Sequence, residues 1–216
     1  MTWADSPGHA HVRCWAPTGK EIELCGHGLL CCAAHWQGQW GGHGVLEMNG
    51  MAVRFESRDG MQWVGFPHIE TTACAVPDWA AELLGATPMH AAEAGPASGY
   101  LVLELAAGCD PAALRAPGVA LAAHSARSLI VTRKVDPTES LHGETIQSRY
   151  FAPQYGVPED AATGSAMRVL ASYWHSRGEG SEQKALQRSA AGGWLESRIE
   201  GEHTWIGGHV VVEEAA

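Results

Sequence analysis

Glycine constrains this chain more than any other residue type: 26 of its 216 residues are glycine, many of them between short apolar runs. That placement points to a strand-rich protein with many tight corners, because glycine reaches turn conformations that side chains resist. β-rich or alternating stretches cover His11–Ala16, Val45–Met48, Ala52–Glu56, Gln62–Gly65, Tyr100–Leu105, Ser128–Arg133 and Gln147–Ala152. Near the C-terminus, Gly193–Ile199, His203–Ile206 and His209–Glu213 read as a meander.

Helices are few. Two open on glycine and are apolar on nearly every side, Gly26–Gln37 and Gly164–Arg177, a pattern that predicts burial. Shorter helices are expected at Asp78–Leu84, after Pro77, and at Pro111–Arg115, capped by Asp110. The Ala-, Gly- and Pro-rich stretch Ala91–Ser98 reads as a linker. The expected organisation is therefore an N-terminal lobe over 1–92 and a C-terminal lobe over 98–203. Residues 204–216 form a closing strand that can return to the first lobe. Each lobe would hold one helix among strands, a weak internal repeat visible in architecture rather than in residue identity.

Composition removes several function classes. A formal net charge of −10, with no cluster of Lys and Arg, argues against a nucleic-acid partner. No apolar run approaches the roughly 18–20 residues that span a bilayer, so no membrane role is expected. The first residues carry neither the basic nor the apolar segment of a secretory signal, which makes the cytoplasm the default location and free thiols the default state of the six cysteines.

Chemistry concentrates at the two glycine-led helix starts. Such a start offers unpaired N–H groups and the positive end of the helix dipole, so two of them facing across a cleft between lobes make an anion site suited to a carboxylate. In Cys25-Gly26-His27-Gly28 a helix N-terminus favours the thiolate, making Cys25 a candidate carbon base and His27 a second proton carrier or a donor to substrate. Composition alone favours a blander reading, a buried cysteine and a capping histidine. In the second motif, Asp160, Thr163 and Ser165 crowd the start led by Gly164. Taken singly, Asp160 and Thr163 read as N-caps, and Gly164 as an allowance for close packing.

Together the motifs resemble the PhzF-like family of the diaminopimelate-epimerase superfamily, over nearly the whole chain. The resemblance rests on His11-Val12-Arg13-Cys14-Trp15-Ala16-Pro17-Thr18-Gly19 leading into the Cys-Gly-His motif, and on Ser148-Arg149-Tyr150-Phe151-Ala152-Pro153 leading into Glu159-Asp160-xx-Thr163-Gly164-Ser165-Ala166. The spacing between the motifs also matches, and Ile206-Gly207-Gly208-His209 is similar to the family's closing strand pair.

The resemblance implies an α+β fold of two similar lobes, each a curved, mostly antiparallel sheet or barrel around a central helix. It implies cofactor-independent isomerisation or epimerisation by proton transfer at carbon, without metal, on a small carboxylate metabolite. Asp160, His27 and Cys25 would be the catalytic residues, and Ser165, Gly164, Ala166, Thr163, Gly26 and Gly28 would bind substrate. Thr163 stands where the superfamily's cysteine racemases carry a second cysteine, so a two-thiol mechanism is not expected.

The chain starts after the strand, helix and Ser-Glu-Thr-type segment whose glutamate is the family's principal acid/base, and Asp5 lies in an unrelated context. This leaves an alternative, a catalytically inactive binding or interaction protein. It also favours a homodimer, because first-lobe strands would be left unpaired.

Two other readings fail on spacing. His27, Cys31 and His35 recur every four residues, as zinc ligands can, but no second ligand pair follows. Neither glycine motif has the frame of a nucleotide loop.

Overall fold

A computed structural model describes residues 1–15, 19, 21–140 and 142–211. The chain forms two compact units, one of residues 1–68 with 199–216 and one of residues 69–198. The architecture is α+β, with mostly antiparallel strands and few helices.

The first unit begins with β1 (Thr2–Ser6), β2 (His9–Val12), β3 (Cys14–Trp15) and β4 (Glu21–Ile22), followed by α1 (Gly26–Trp40), β5 (His43–Met48), β6 (Met51–Arg58) and β7 (Met61–Pro67). Arg13 interrupts the expected strand His11–Ala16, and Ala16 lies outside the described residues. β5, β6 and β7 are joined by Asn49-Gly50 and Asp59-Gly60, all four residues at positive φ. This turn chemistry matches the twist of a two-residue hairpin. Alternation then sends Val53 and Phe55 into the core while Arg54 faces out.

α1 differs from the buried helix expected of it. Only Gly26, Leu29, Leu30 and Ala33 are buried, on the side that packs against β5, β6 and β7. His27, Cys31 and His35 are exposed. Alanine, cysteine and glycine made the helix look apolar all round, yet their small side chains tolerate solvent, and the two leucines alone define its inner face. The helix runs three residues past Gln37, to Trp40, which stacks on Trp36 at 4.6 Å, and it ends at the left-handed Gly41.

The second unit contains β8 (Thr71–Cys74), α2 (Ala80–Leu84), β9 (His90–Ala94), β10 (Tyr100–Glu104), α3 (Leu121–His124), β11 (Ser128–Lys134), β12 (Ile146–Phe151), α4 (Gly164–Ser176), β13 (Glu182–Gln187) and β14 (Gly193–Glu200). The stretch read as a linker instead supplies β9, paired to β10 from Ala94↔Tyr100 to His90↔Glu104. Small alanines pack flat on the neighbouring strand, which a composition reading misses. The helix expected at Pro111–Arg115 is a single 3-10 turn, Pro111–Ala113, although Asp110 does cap it at Ala112 N, 2.9 Å. α2 starts two residues later than expected and takes no cap from Asp78.

β10 and β11, paired in parallel, are covered on both faces. Leu101, Leu103, Leu129 and Val131 join Leu84, Leu114 and Leu121 in one core. The other face meets α4, where Trp174 Nε1 donates to Thr132 Oγ1 (3.2 Å) and the Tyr173 hydroxyl donates to Glu104. α4 is the buried helix of the pattern, with Ala166, Met167, Val169, Leu170, Ala171, Tyr173 and Trp174 all enclosed. At roughly 1.5–3 kcal/mol per large apolar side chain, this packing dominates the stability of the unit.

The chain then returns to the first unit as β15 (His203–Gly208), antiparallel to β7. Beyond it, 209–211 are not in a strand as described, and 212–216 of the expected final strand lie outside the described residues.

Candidate active site

In the first unit, the start of α1 is closed by its own residues. Cys25 is the N-cap, with extended backbone (φ −121°, ψ 99°), and its Sγ accepts from Gly28 N at 3.3 Å. Cys14 of β3 reaches the same point, its sulfur and that of Cys25 both lying against Gly28. Burial, then the neighbouring Cys25, pushes the Cys14 thiol up to about 11. Gly28 makes this possible: a Cβ there would stand 2.4 Å from Cys14 Sγ and 3.3 Å from Cys25 Sγ. His27 is exposed, and Gly26 is buried. The capping group is thus the cysteine and not the histidine.

In the second unit, the start of α4 is arranged differently. Thr163 is the N-cap, again extended (φ −125°, ψ 101°), but its side chain makes no capping bond. Its hydroxyl instead donates to Asp160 Oδ2 at 2.7 Å, while Asp160 Oδ1 accepts from Ala161 N at 2.9 Å. Thr163 thus holds the N-cap position read for it, without a side-chain capping bond, and Asp160 is not the N-cap. The first-turn N–H groups of Gly164, Ser165 and Ala166 therefore receive no oxygen from Thr163, and the dipole's positive end stays available to an anion. Ser165, half-buried, adds a hydroxyl at the same turn.

Several residues that fix this turn were not singled out from the sequence. Gln187 of β13, 1% exposed, accepts from Thr163 N (2.9 Å) and donates to Asp160 O (2.6 Å). Ser189 Oγ donates to Ala161 O at 2.7 Å. Arg149 of β12 grips Glu159 through Nε and Nη2 (2.6 and 2.8 Å) and donates from Nη1 to Pro111 O and Leu114 O. Gly193 of β14 lies so close that a Cβ would stand 2.3 Å from Ala162 Cβ. A buried glutamine is a signal of a hydrogen-bonding duty, but it is visible only once burial is known.

The result is a preorganised pair: a carboxylate oriented by two donors and, one turn away, an uncapped helix start. Such a pair can hold an anion and exchange a proton beside it. Two cavities of the second unit, about 250 and 450 Å³, lie near the other end of α4, lined by Trp174 and Arg177 and by Tyr173 and Ser176 respectively. Neither is lined by the motif residues. Among the described residues, no helix is long and apolar enough to cross a membrane.

Comparison with known proteins places these features in a family. Residues 2–214 match the PhzC-PhzF model, described as phenazine biosynthesis-like protein. A rat phenazine biosynthesis-like domain-containing protein is 28% identical over 221 residues, covering 93% of this chain and 75% of the relative. A Pseudomonas aeruginosa protein named as an uncharacterized isomerase is 33% identical over 211 residues, covering 92% and 74%. Among solved structures, a PhzF-family protein from Enterococcus faecalis superposes with a TM-score of 0.78 at 23% identity, covering 95% of this chain and 76% of that one. A hydroxyproline epimerase from Agrobacterium vitis, solved with trans-4-hydroxy-L-proline, gives a TM-score of 0.59 at 14% identity, covering 95% and 68%, and so shares the fold. By the extent of these matches, this chain belongs to the PhzC-PhzF family of phenazine biosynthesis-like proteins.

Proposed function

We propose that this chain is a cofactor-independent isomerase or epimerase that moves a proton at a carbon of a small carboxylate. The substrate carboxylate is held by the backbone N–H groups of Gly164, Ser165 and Ala166 and by the Ser165 hydroxyl, and Asp160 moves the proton. The uncapped start of α4 carries this reading: Thr163 spends its hydroxyl on Asp160 and leaves the first turn to a ligand. Membership in a family whose relatives include a named isomerase supports the same reaction class. For Cys25 and His27 the resemblance implies catalytic roles, and for Gly26 and Gly28 substrate binding.

The test is exchange of substrate C–H for solvent deuterium, followed by NMR over a panel of amino-acid and cyclic carboxylates that includes trans-4-hydroxy-L-proline. Exchange is expected for at least one member. Asp160→Asn should lower it by about 100-fold or more while binding persists, in keeping with the usual worth of a general acid/base. Ser165→Ala should weaken binding more than turnover. His27→Asn and Cys25→Ser, measured against the same exchange, decide their roles separately. Carboxylate binding with no exchange overturns the isomerase in favour of a binding protein.

A further inference from the structure

The outer face of the first unit's sheet carries a second group of chemistry-bearing side chains, none of them used above. β2 sends Ala10 and Val12 into the core, so His9 and His11 stand together on the opposite face. Parallel pairing sets Glu47 of β5 beside His11. On the other side, an irregularity between Ala4 and Ser6 of β1 brings Asp5 alongside both imidazoles. Asp5 Oδ1 lies 2.8 Å from His9 Nδ1, and Asp5 Oδ2 lies 3.0 Å from His11 Nε2. The remaining ring nitrogens face Glu47, His9 Nε2 at 3.8 Å and His11 Nδ1 at 3.9 Å.

We propose that Asp5, His9 and His11 bind a divalent transition-metal ion of the zinc type, with Glu47 orienting both imidazoles from behind. Two imidazoles and one carboxylate are a donor set suited to a borderline cation, and a water completes four-coordination. One ligand atom from each residue lies within 4.8 Å of the others. Metal–ligand bonds of about 2.0–2.2 Å put tetrahedral donors roughly 3.3–3.6 Å apart. The Asp5–histidine distances of 2.8 and 3.0 Å would therefore open slightly, and the two ring nitrogens, within 4.8 Å, would adjust to match. The ion would take the place of the protons that Asp5 now shares with the two rings.

Glu47, now 3.8 and 3.9 Å from the far ring nitrogens and beyond hydrogen-bond distance, would close on them as the outer carboxylate that accepts the far N–H of a ligating histidine. The ligands stand on two hydrogen-bonded strands, with Glu47 on a third, rather than on loops, and Trp3 stacks on His11 at 5.2 Å, fixing that ring. A bound ion would tie β1, the outermost strand of this unit, to its neighbour.

The experiment titrates Zn²⁺ into the chelator-treated full chain by calorimetry, with Co²⁺ absorption reporting ligand type. One site is expected, with a cobalt spectrum free of thiolate charge-transfer bands. His9→Ala/His11→Ala should weaken binding by more than about 100-fold and Glu47→Gln by about 10–100-fold. Cys14→Ser/Cys25→Ser should leave it unchanged. Asp5→Asn, which preserves shape, gives a second loss should the double variant fold poorly, and hydrogen exchange in β1 should slow with zinc in the wild type. Absence of zinc binding, binding that survives loss of both histidines, or thiolate bands in the cobalt spectrum would each overturn the site.

Discussion

The starts of α1 and α4 share a plan and differ in how it is finished. Both follow an extended N-cap residue, and both lead with glycine. At α1 the cap residue turns its sulfur onto its own helix, and one face of the helix is open to solvent. At α4 the cap residue turns away toward Asp160, and a surrounding network holds the turn in place of a cap. A helix end stabilised from outside can stay open at its tip, whereas one capped from within has committed a donor, here Gly28 N. The difference is between a turn held by its surroundings and one capped by its own N-cap residue.

Because the chain forms two compact units, each variant is best read by hydrogen exchange within its own unit. The sharpest test of the external network is Arg149→Met, which strands Glu159 without its partner. The expected loss is about 3–5 kcal/mol, because the change leaves the part-buried Glu159 unpaired and also strips the buried Pro111 O and Leu114 O of their donor. A loss near zero would mean that the α4 turn does not depend on its surroundings. Leu170→Ala, on the enclosed side of α4, should cost about 2–5 kcal/mol, against less than ~0.5 kcal/mol for Cys31→Ser on the open face of α1. Equal costs would erase the contrast between the helices.

Smaller effects probe the caps themselves. Thr163→Val removes the donor to Asp160 and should cost about 1–3 kcal/mol. Cys25→Ala, which removes a sulfur cap, should cost only ~0.5–1 kcal/mol, at the weak end of capping. The smallest effect is on reactivity. With its thiol pushed up to about 11, Cys14 should resist alkylation at neutral pH and label only as the pH rises toward that value. Rapid labelling of Cys14 at neutral pH would show that it is not shielded beside Cys25.

Much of this was readable in advance, for physical reasons that differ from place to place. The strands Val45–Met48, Ala52–Glu56 and Gln62–Gly65 were legible from their alternation, and Asn49-Gly50 and Asp59-Gly60 join them because few other residue pairs accept two positive φ angles in succession. Gly164–Ser176 reads as a buried helix because its apolar residues are large. Gly26–Trp40 misleads because its apolar character comes partly from small side chains that need no burial. β9 was hidden because alanine carries no strand preference of its own, and its place is decided by the neighbouring strand. At the candidate site, the motif residues were legible as local sequence. Gln187 and Gly193 were not, and Arg149 was legible only as part of a motif, since their importance lies in what they touch across the fold rather than in what surrounds them in the chain.

The contact between Gly193 and Ala162 has a consequence for how this family varies. With no room for a Cβ at 193 while Ala162 stays in place, volume at the two positions must be exchanged rather than added. Relatives that keep the turn before α4 in this shape should therefore covary there, a larger residue at one position accompanying glycine at the other. A relative that breaks the rule marks a lineage in which the shape of this turn has changed.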